Sequence, residues 1–167
     1  MEDTGPELAR LQRTDGYVEA QLTRLSWRRP DAIWRALTEP DWLAKWLAPG
    51  TIEPWPGGEV RLDFADSGTV IASRVSDFED GRLIAFSWSR EGEPARPVRW
   101  RLEPSGVGAR LTITVLTPEG EDAARACAGW EAHLEMLEAA LEGAPIPFPL
   151  ERFKAARAAY GPRLASL

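Results

Sequence analysis

The chain has 167 residues, 44% of them hydrophobic and 28% charged, with a formal net charge of −6. That length and apolar content fit one domain with a full core, while an acidic chain without a lysine–arginine stripe lacks the surface that nucleic-acid binding needs. No apolar run approaches the roughly 20 residues of a membrane-spanning helix, the polar residues 1–15 do not read as a secretory signal, and a single cysteine excludes an intrachain disulfide, so a cytoplasmic protein without membrane insertion is the simplest expectation.

Residues 1–15 carry no periodicity and are expected to form a flexible arm. From Tyr17 to Leu25 the chain alternates, with Val18, Ala20, Leu22 and Arg24 on one face, which is the period of a strand. Pro30 suits the first turn of a helix, and Ile33, Trp34 and Leu37 form its apolar stripe. Thr38-x-x-Asp41 has the form of a capping box. It opens a second short helix lined by Trp42, Leu43, Trp46 and Leu47.

From Thr51 to Thr117 the chain reads as consecutive antiparallel strands. The turns are Gly57-Gly58, Asp66-Ser67-Gly68, Asp80-Gly81 and Ser105-Gly106-Val107-Gly108. Val98, Trp100 and Leu102 alternate with Arg99 and Arg101. Leu111, Ile113 and Val115 alternate with Thr112 and Thr114. Such strands bury one face and wet the other. Pro118 is expected to open a long helix whose first turn is acidic. Cys127, Trp130, Leu134, Leu137 and Leu141 recur on it at helical spacing, and Gly143 stops it. Residues 144–149 form a stiff linker, and Leu150–Tyr160 a short helix. The expected organisation is an arm over 1–15, a domain over 16–143 and an extension over 144–167.

This order is that of an α+β helix-grip fold, a curved antiparallel sheet of about six or seven strands wrapped around one long helix. The motifs sharpen the assignment. Pro30-x-x-Ile33-Trp34-x-Ala36-Leu37-Thr38-x-Pro40-x-x-Leu43-x-x-Trp46 resembles the N-terminal motif of the family of activators of heat-shock-protein-90 ATPase, within the START-like, or SRPBCC, superfamily. Leu83-Ile84-Ala85-Phe86-Ser87-Trp88, Val98-x-Trp100-x-Leu102 and Gly129-Trp130-x-x-x-Leu134-x-x-Leu137 are similar to it as well. The resemblance implies a bacterial single-domain member with a ligand cavity between helix and sheet. It brings no catalytic residue, because no fixed catalytic motif defines this branch. The co-chaperone role does not carry over, since the polar residues before the first expected strand are too few for a chaperone-binding domain.

The ligand-binding candidates are Arg74, Trp46, Phe78, Trp88, Trp100, Trp130 and His133. The tryptophans read either as core or as walls of a cavity. Arg74 shares an inward face with Phe78 if alternation holds from Val70 to Phe78, and would then anchor an anion; a bulge would turn it into water. His133 is a hydrogen-bond donor or general base at a cavity mouth, or a structural residue beside the core stripe. With one histidine and one cysteine the chain has no metal-ligand set, and no cofactor is expected. Three functions follow: binding of a small apolar ligand; a cyclase or dehydratase with His133 as acid–base; and an interaction protein. In the third, Phe148, Phe153 and Tyr160 of the extension face a partner or the second copy of a homodimer.

Overall fold

The structure, a computed structural model, describes residues 8–167. The first strand, β1 (Arg10–Thr14), falls inside the expected arm and pairs antiparallel with β2 (Tyr17–Ser26). This corrects the arm from Arg10 onward; residues 1–7 lie outside the described residues. The turn between them is Asp15-Gly16, both with positive φ (34° and 83°), the backbone that an Asp-Gly hairpin turn requires.

Two short helices follow, α1 (Pro30–Thr38) and α2 (Pro40–Trp46), each with its proline in the first turn. The expected capping box is absent. The Thr38 hydroxyl donates back to the Trp34 carbonyl at 2.9 Å, and Glu39 occupies the cap position without a side-chain cap. Then come β3 (Gly50–Ile52), β4 (Glu59–Phe64), β5 (Thr69–Arg74), β6 (Asp77–Glu79), β7 (Leu83–Ser87), β8 (Pro97–Ser105) and β9 (Gly108–Pro118). One sheet runs β1-β2-β9-β8-β7-β6, and a second runs β3-β4-β5. All pairings are antiparallel.

The two sheets join at a corner. Val75 N donates to Gly58 O beside β4, and the next amide, Ser76 N, donates to Ala85 O beside β7, each at 2.8 Å. Ser76 and Asp77 are consecutively exposed, so the period of two is broken there. That break overturns the shared inward face of Arg74 and Phe78. Ile71 and Val75 are buried, Arg74 is exposed, and Phe78 turns inward only after the corner.

The inner face of the large sheet is a set of cross-strand rows. Leu22, Ile113, Trp100 and Ile84 stand opposite one another in sequence across β2, β9, β8 and β7. Ala20, Val115, Val98 and Phe86 form the next row. The long helix α3 (Ala123–Leu141) packs on this face. It begins five residues after Pro118 because β9 holds Pro118 in register with Tyr17. Asp122 then caps the helix by accepting from Arg125 N at 3.0 Å. At about 1.5 Å per residue it is roughly 28 Å long. Gly143, at φ 83°, ends it.

The last helix, α4 (Leu150–Ala165), is longer than expected and carries Pro162 within it. Phe153, Ala156, Tyr160 and Leu164 recur along one side and pack into the core. This burial outweighs the hydrogen bond that Pro162 removes. The extension is therefore a docked element: Tyr160 is fully buried, and Phe153 partly so. Of the three aromatics expected to face a partner, only Phe148 is exposed. No helix among the described residues is long and apolar enough to cross a membrane.

Candidate functional site

The two flanks of α3 differ in chemistry. On the flank facing α2 and β7–β8, the aromatic candidates form one connected cluster. Trp130 meets Trp88 at 4.8 Å and Trp100 at 6.1 Å between ring centroids. Trp100 meets Phe86 edge-on at 5.2 Å and Trp46 at 5.5 Å. Such tilted and edge-to-face pairs are favourable beyond their buried area. Trp46 Nε1 donates to the Ala36 carbonyl at 2.8 Å, tying α2 to α1. Trp100 and Trp46 are fully buried, and Trp130 nearly so. Trp100 Nε1 is the buried side-chain polar atom that lacks a partner among the described residues. Phe78 stands apart, against Trp34 at 6.0 Å. Arg74 lies outside the cluster, with Nη1 donating to the Gly57 carbonyl at 3.1 Å.

His133 sits at the edge of this cluster, against Phe64, Trp130 and Phe148. Its Nδ1 is 2.9 Å from the Trp46 carbonyl. A carbonyl only accepts, so Nδ1 carries the proton and donates. Burial holds His133 below the ordinary histidine value of 6.5, and the bond to the Trp46 carbonyl opposes that shift. The consequence for stability has a definite sign. The unfolded chain protonates near 6.5, while the folded chain resists protonation to lower pH. Between those values the unfolded state binds more protons, so stability falls as the pH drops below about 6.5, and the loss is complete below the folded value. We expect the urea midpoint to fall between about pH 7.5 and pH 5.5, and His133→Gln to flatten that fall. Equal pH dependence in both proteins would mean that His133 titrates as it does in water.

The opposite flank of α3 holds an open space. A cavity of about 490 Å³ lies between α3, the ends of β2 and β9, α1 and α4. Leu25, Ile33, Leu111, Leu134, Leu137 and Leu141 supply its apolar wall. Arg24, Glu131, Glu135, Glu138 and Arg152 supply charge. None of the seven residues singled out from sequence lines it.

Glu131 is the centre of this charge. Only 1% of the residue is exposed, in the middle of α3. Its Oε1 accepts from Arg24 Nη2 at 3.0 Å and from the Tyr160 hydroxyl at 3.2 Å. Its Oε2 accepts from Arg152 Nη2 at 2.8 Å. A buried carboxylate requires this kind of compensation. The Tyr160 hydroxyl also accepts from Ala9 N at 2.7 Å, and burial pushes its pKa up. Nearby, Arg28 Nη1 meets Glu138 Oε1 at 3.1 Å. Cys127 is buried on the same helix, and desolvation followed by the Glu131 charge raises its thiol to about 12. It is a packed side chain and not a thiolate nucleophile.

The profile of a family described as Activator of Hsp90 ATPase homolog 1-like protein matches residues 28–142. The chain belongs to that family. The matched stretch runs from α1 through α3, so this Hsp90-ATPase-activator-like domain draws part of its cavity from outside the stretch. Glu131 lies within it, while Arg24, Arg152 and Tyr160 lie beyond its two ends. Solved structures share the fold. CalU16 from Micromonospora echinospora is 21% identical, with 86% of this chain and 85% of that one covered and a TM-score of 0.71. EF2215 from Enterococcus faecalis, described as a conserved protein of unknown function, is 19% identical over 95% and 91% of the two chains, with a TM-score of 0.80. A protein encoded by BPP1335 from Bordetella parapertussis is 25% identical over 93% and 90%, with a TM-score of 0.68. A comparison with curated proteins returned no match. These likenesses establish the START-like helix-grip fold, and a fold of this kind hosts many activities.

Sequence reasoning missed Glu131 because it sits between Trp130 and Ala132 on a helix that otherwise reads as an apolar stripe with a wet back. A signal was present in Arg24. It falls on the same strand face as Val18, Ala20 and Leu22, and an arginine on a buried face calls for a buried carboxylate.

Proposed function

We propose that this protein binds a small, largely apolar molecule in the cavity beside α3. The observation that carries this reading is the 490 Å³ space walled by leucine and isoleucine. It falls in the size range of small-molecule sites, about 300–1,000 Å³, and has their mixture of an apolar wall with a few convergent polar groups. The aromatic flank does not serve as the pocket, because its rings fill the space between α3 and the sheet. His133 is bound to the Trp46 carbonyl and lines no part of the cavity, so the reading is one of binding rather than acid–base catalysis.

The test is titration with the neutral fluorescent probe N-phenyl-1-naphthylamine. Saturable binding is expected for the native chain. Leu141→Trp places a large ring in the cavity from a half-buried position, and it should weaken the probe by roughly tenfold or more while circular dichroism stays unchanged. Absence of saturable binding, or equal binding by both proteins, would overturn the reading.

A further inference from the structure

We infer that the ligand of this cavity is an uncharged apolar molecule carrying a hydroxyl group, and that the hydroxyl bridges Arg152 and Glu135, accepting from the first and donating to the second. The inference rests on the binding reading above and names the chemical class of that ligand.

Charge balance disfavours an ionic head group. Two guanidiniums, Arg24 and Arg152, and three carboxylates, Glu131, Glu135 and Glu138, line the cavity. Glu131, whose side chain is fully buried, engages both arginines. Glu138 is met by Arg28 at 3.1 Å, from outside the lining. Glu135 faces Arg152 at 4.0 Å. Every charge of the lining therefore already has an opposite charge beside it. A ligand carboxylate at Arg152 would stand next to Glu131 and Glu135, and an ammonium at Glu135 would stand next to the Arg152 guanidinium. Either ion meets a like charge along with its counter-ion. An uncharged group leaves the existing pairs intact.

The open contact of this network lies between Arg152 and Glu135. Arg152 Nε is 4.0 Å from Glu135 Oε2, too far for a hydrogen bond. Among the described residues Arg152 donates through Nη2, to Glu131, and the Glu135 carboxylate accepts no hydrogen bond. Both side chains line the cavity. An unused donor and an unused acceptor thus stand side by side at its polar end. One oxygen at about 2.8 Å from each atom fits between them. A hydroxyl is the group that accepts and donates through a single oxygen. An ether or ketone oxygen would accept from Arg152 and give nothing to Glu135. Leu134, Leu137 and Leu141 wall the cavity along the same helix and fit the apolar body.

The experiment compares decan-1-ol with its isomer 1-methoxynonane, which accepts but cannot donate, and with decanoate and decylammonium, by their displacement of N-phenyl-1-naphthylamine from the full chain. We expect the alcohol to bind roughly tenfold more tightly than the ether, and more tightly than either ion. Glu135→Met removes the acceptor and should bring the alcohol-to-ether ratio close to one. Glu135→Gln keeps an acceptor oxygen and should retain part of that ratio, a graded response that loss of packing alone does not produce. If either variant fails to fold, the order of the four probes on the native chain decides. Equal binding of alcohol and ether overturns the hydroxyl assignment and leaves the binding reading standing. Tighter binding of decanoate or decylammonium than of the alcohol overturns it in favour of an ionic ligand. Failure of every probe, the neutral fluorophore included, overturns both.

Discussion

Glu131→Ala is expected to lower the unfolding free energy by about 3 kcal/mol, the low end of the cost of removing one partner from a buried ion pair. The substitution strands Arg24, Arg152 and the Tyr160 hydroxyl together, since all three converge on that one carboxylate. Neither guanidinium is wholly buried, so both can turn partly toward water, which limits the loss. Tyr160 cannot do so, being fully enclosed. Glu131→Gln keeps an acceptor for the hydroxyl and should cost less. Urea unfolding at constant m-value measures both. A loss under about 1 kcal/mol for the alanine variant would show that the pairs behave as surface pairs.

Trp46→Ala should cost about 3–5 kcal/mol, from lost transfer energy and the void left behind. The ring is fully buried against Trp100 and joins α2 to α1 through the Ala36 carbonyl. Neither the Trp100 ring nor the α1 backbone can collapse freely into the gap, because β7 and β9 hold Trp100 in register on both sides. Trp46→Phe retains most of the volume and isolates the hydrogen bond, with an expected loss of about 1–3 kcal/mol for the orphaned carbonyl and the smaller ring. The two differ enough for thermal unfolding to separate them. Equal losses would place the whole effect in the hydrogen bond and none in the packing.

The strands were legible wherever one face is buried and one wet. Val98, Trp100 and Leu102, or Leu111, Ile113 and Val115, announce themselves by period two, and the structure pairs them as neighbours. Strand β1 escaped that test because it is an edge strand whose residues are exposed or half-buried without alternation. Its only local sign is the Asp15-Gly16 turn. Arg74 stayed open between an inward face and water for a related reason. The alternation holds locally on each side of Val75, but the chain changes hydrogen-bonding partner there, and a periodicity argument carried across a corner inverts the faces. The aromatic cluster was legible as composition and as helix spacing, and its tryptophans read either as core or as cavity walls; the structure packs them ring against ring. The cavity was not legible. Its centre joins Arg24, Glu131, Arg152 and Tyr160 from three separate elements. Apart from Arg24 on its apolar strand face, each of these, taken singly, reads as a solvated charge or a surface aromatic.

The Tyr160 hydroxyl joins Ala9 N, near the start of the described chain, to a carboxylate in α3. Translation proceeds from the N-terminus, so α3 is made while two of the three groups that neutralise Glu131 do not yet exist. At that moment the helix carries a carboxylate that only Arg24 can meet, and desolvating it is unfavourable. The nascent domain is thus expected to remain loosely closed around α3 until α4 has been synthesised. Nascent chains arrested at increasing lengths would acquire resistance to protease abruptly once Tyr160 is free to dock. An even rise with length would mean that the sheet closes on α3 without its final helix.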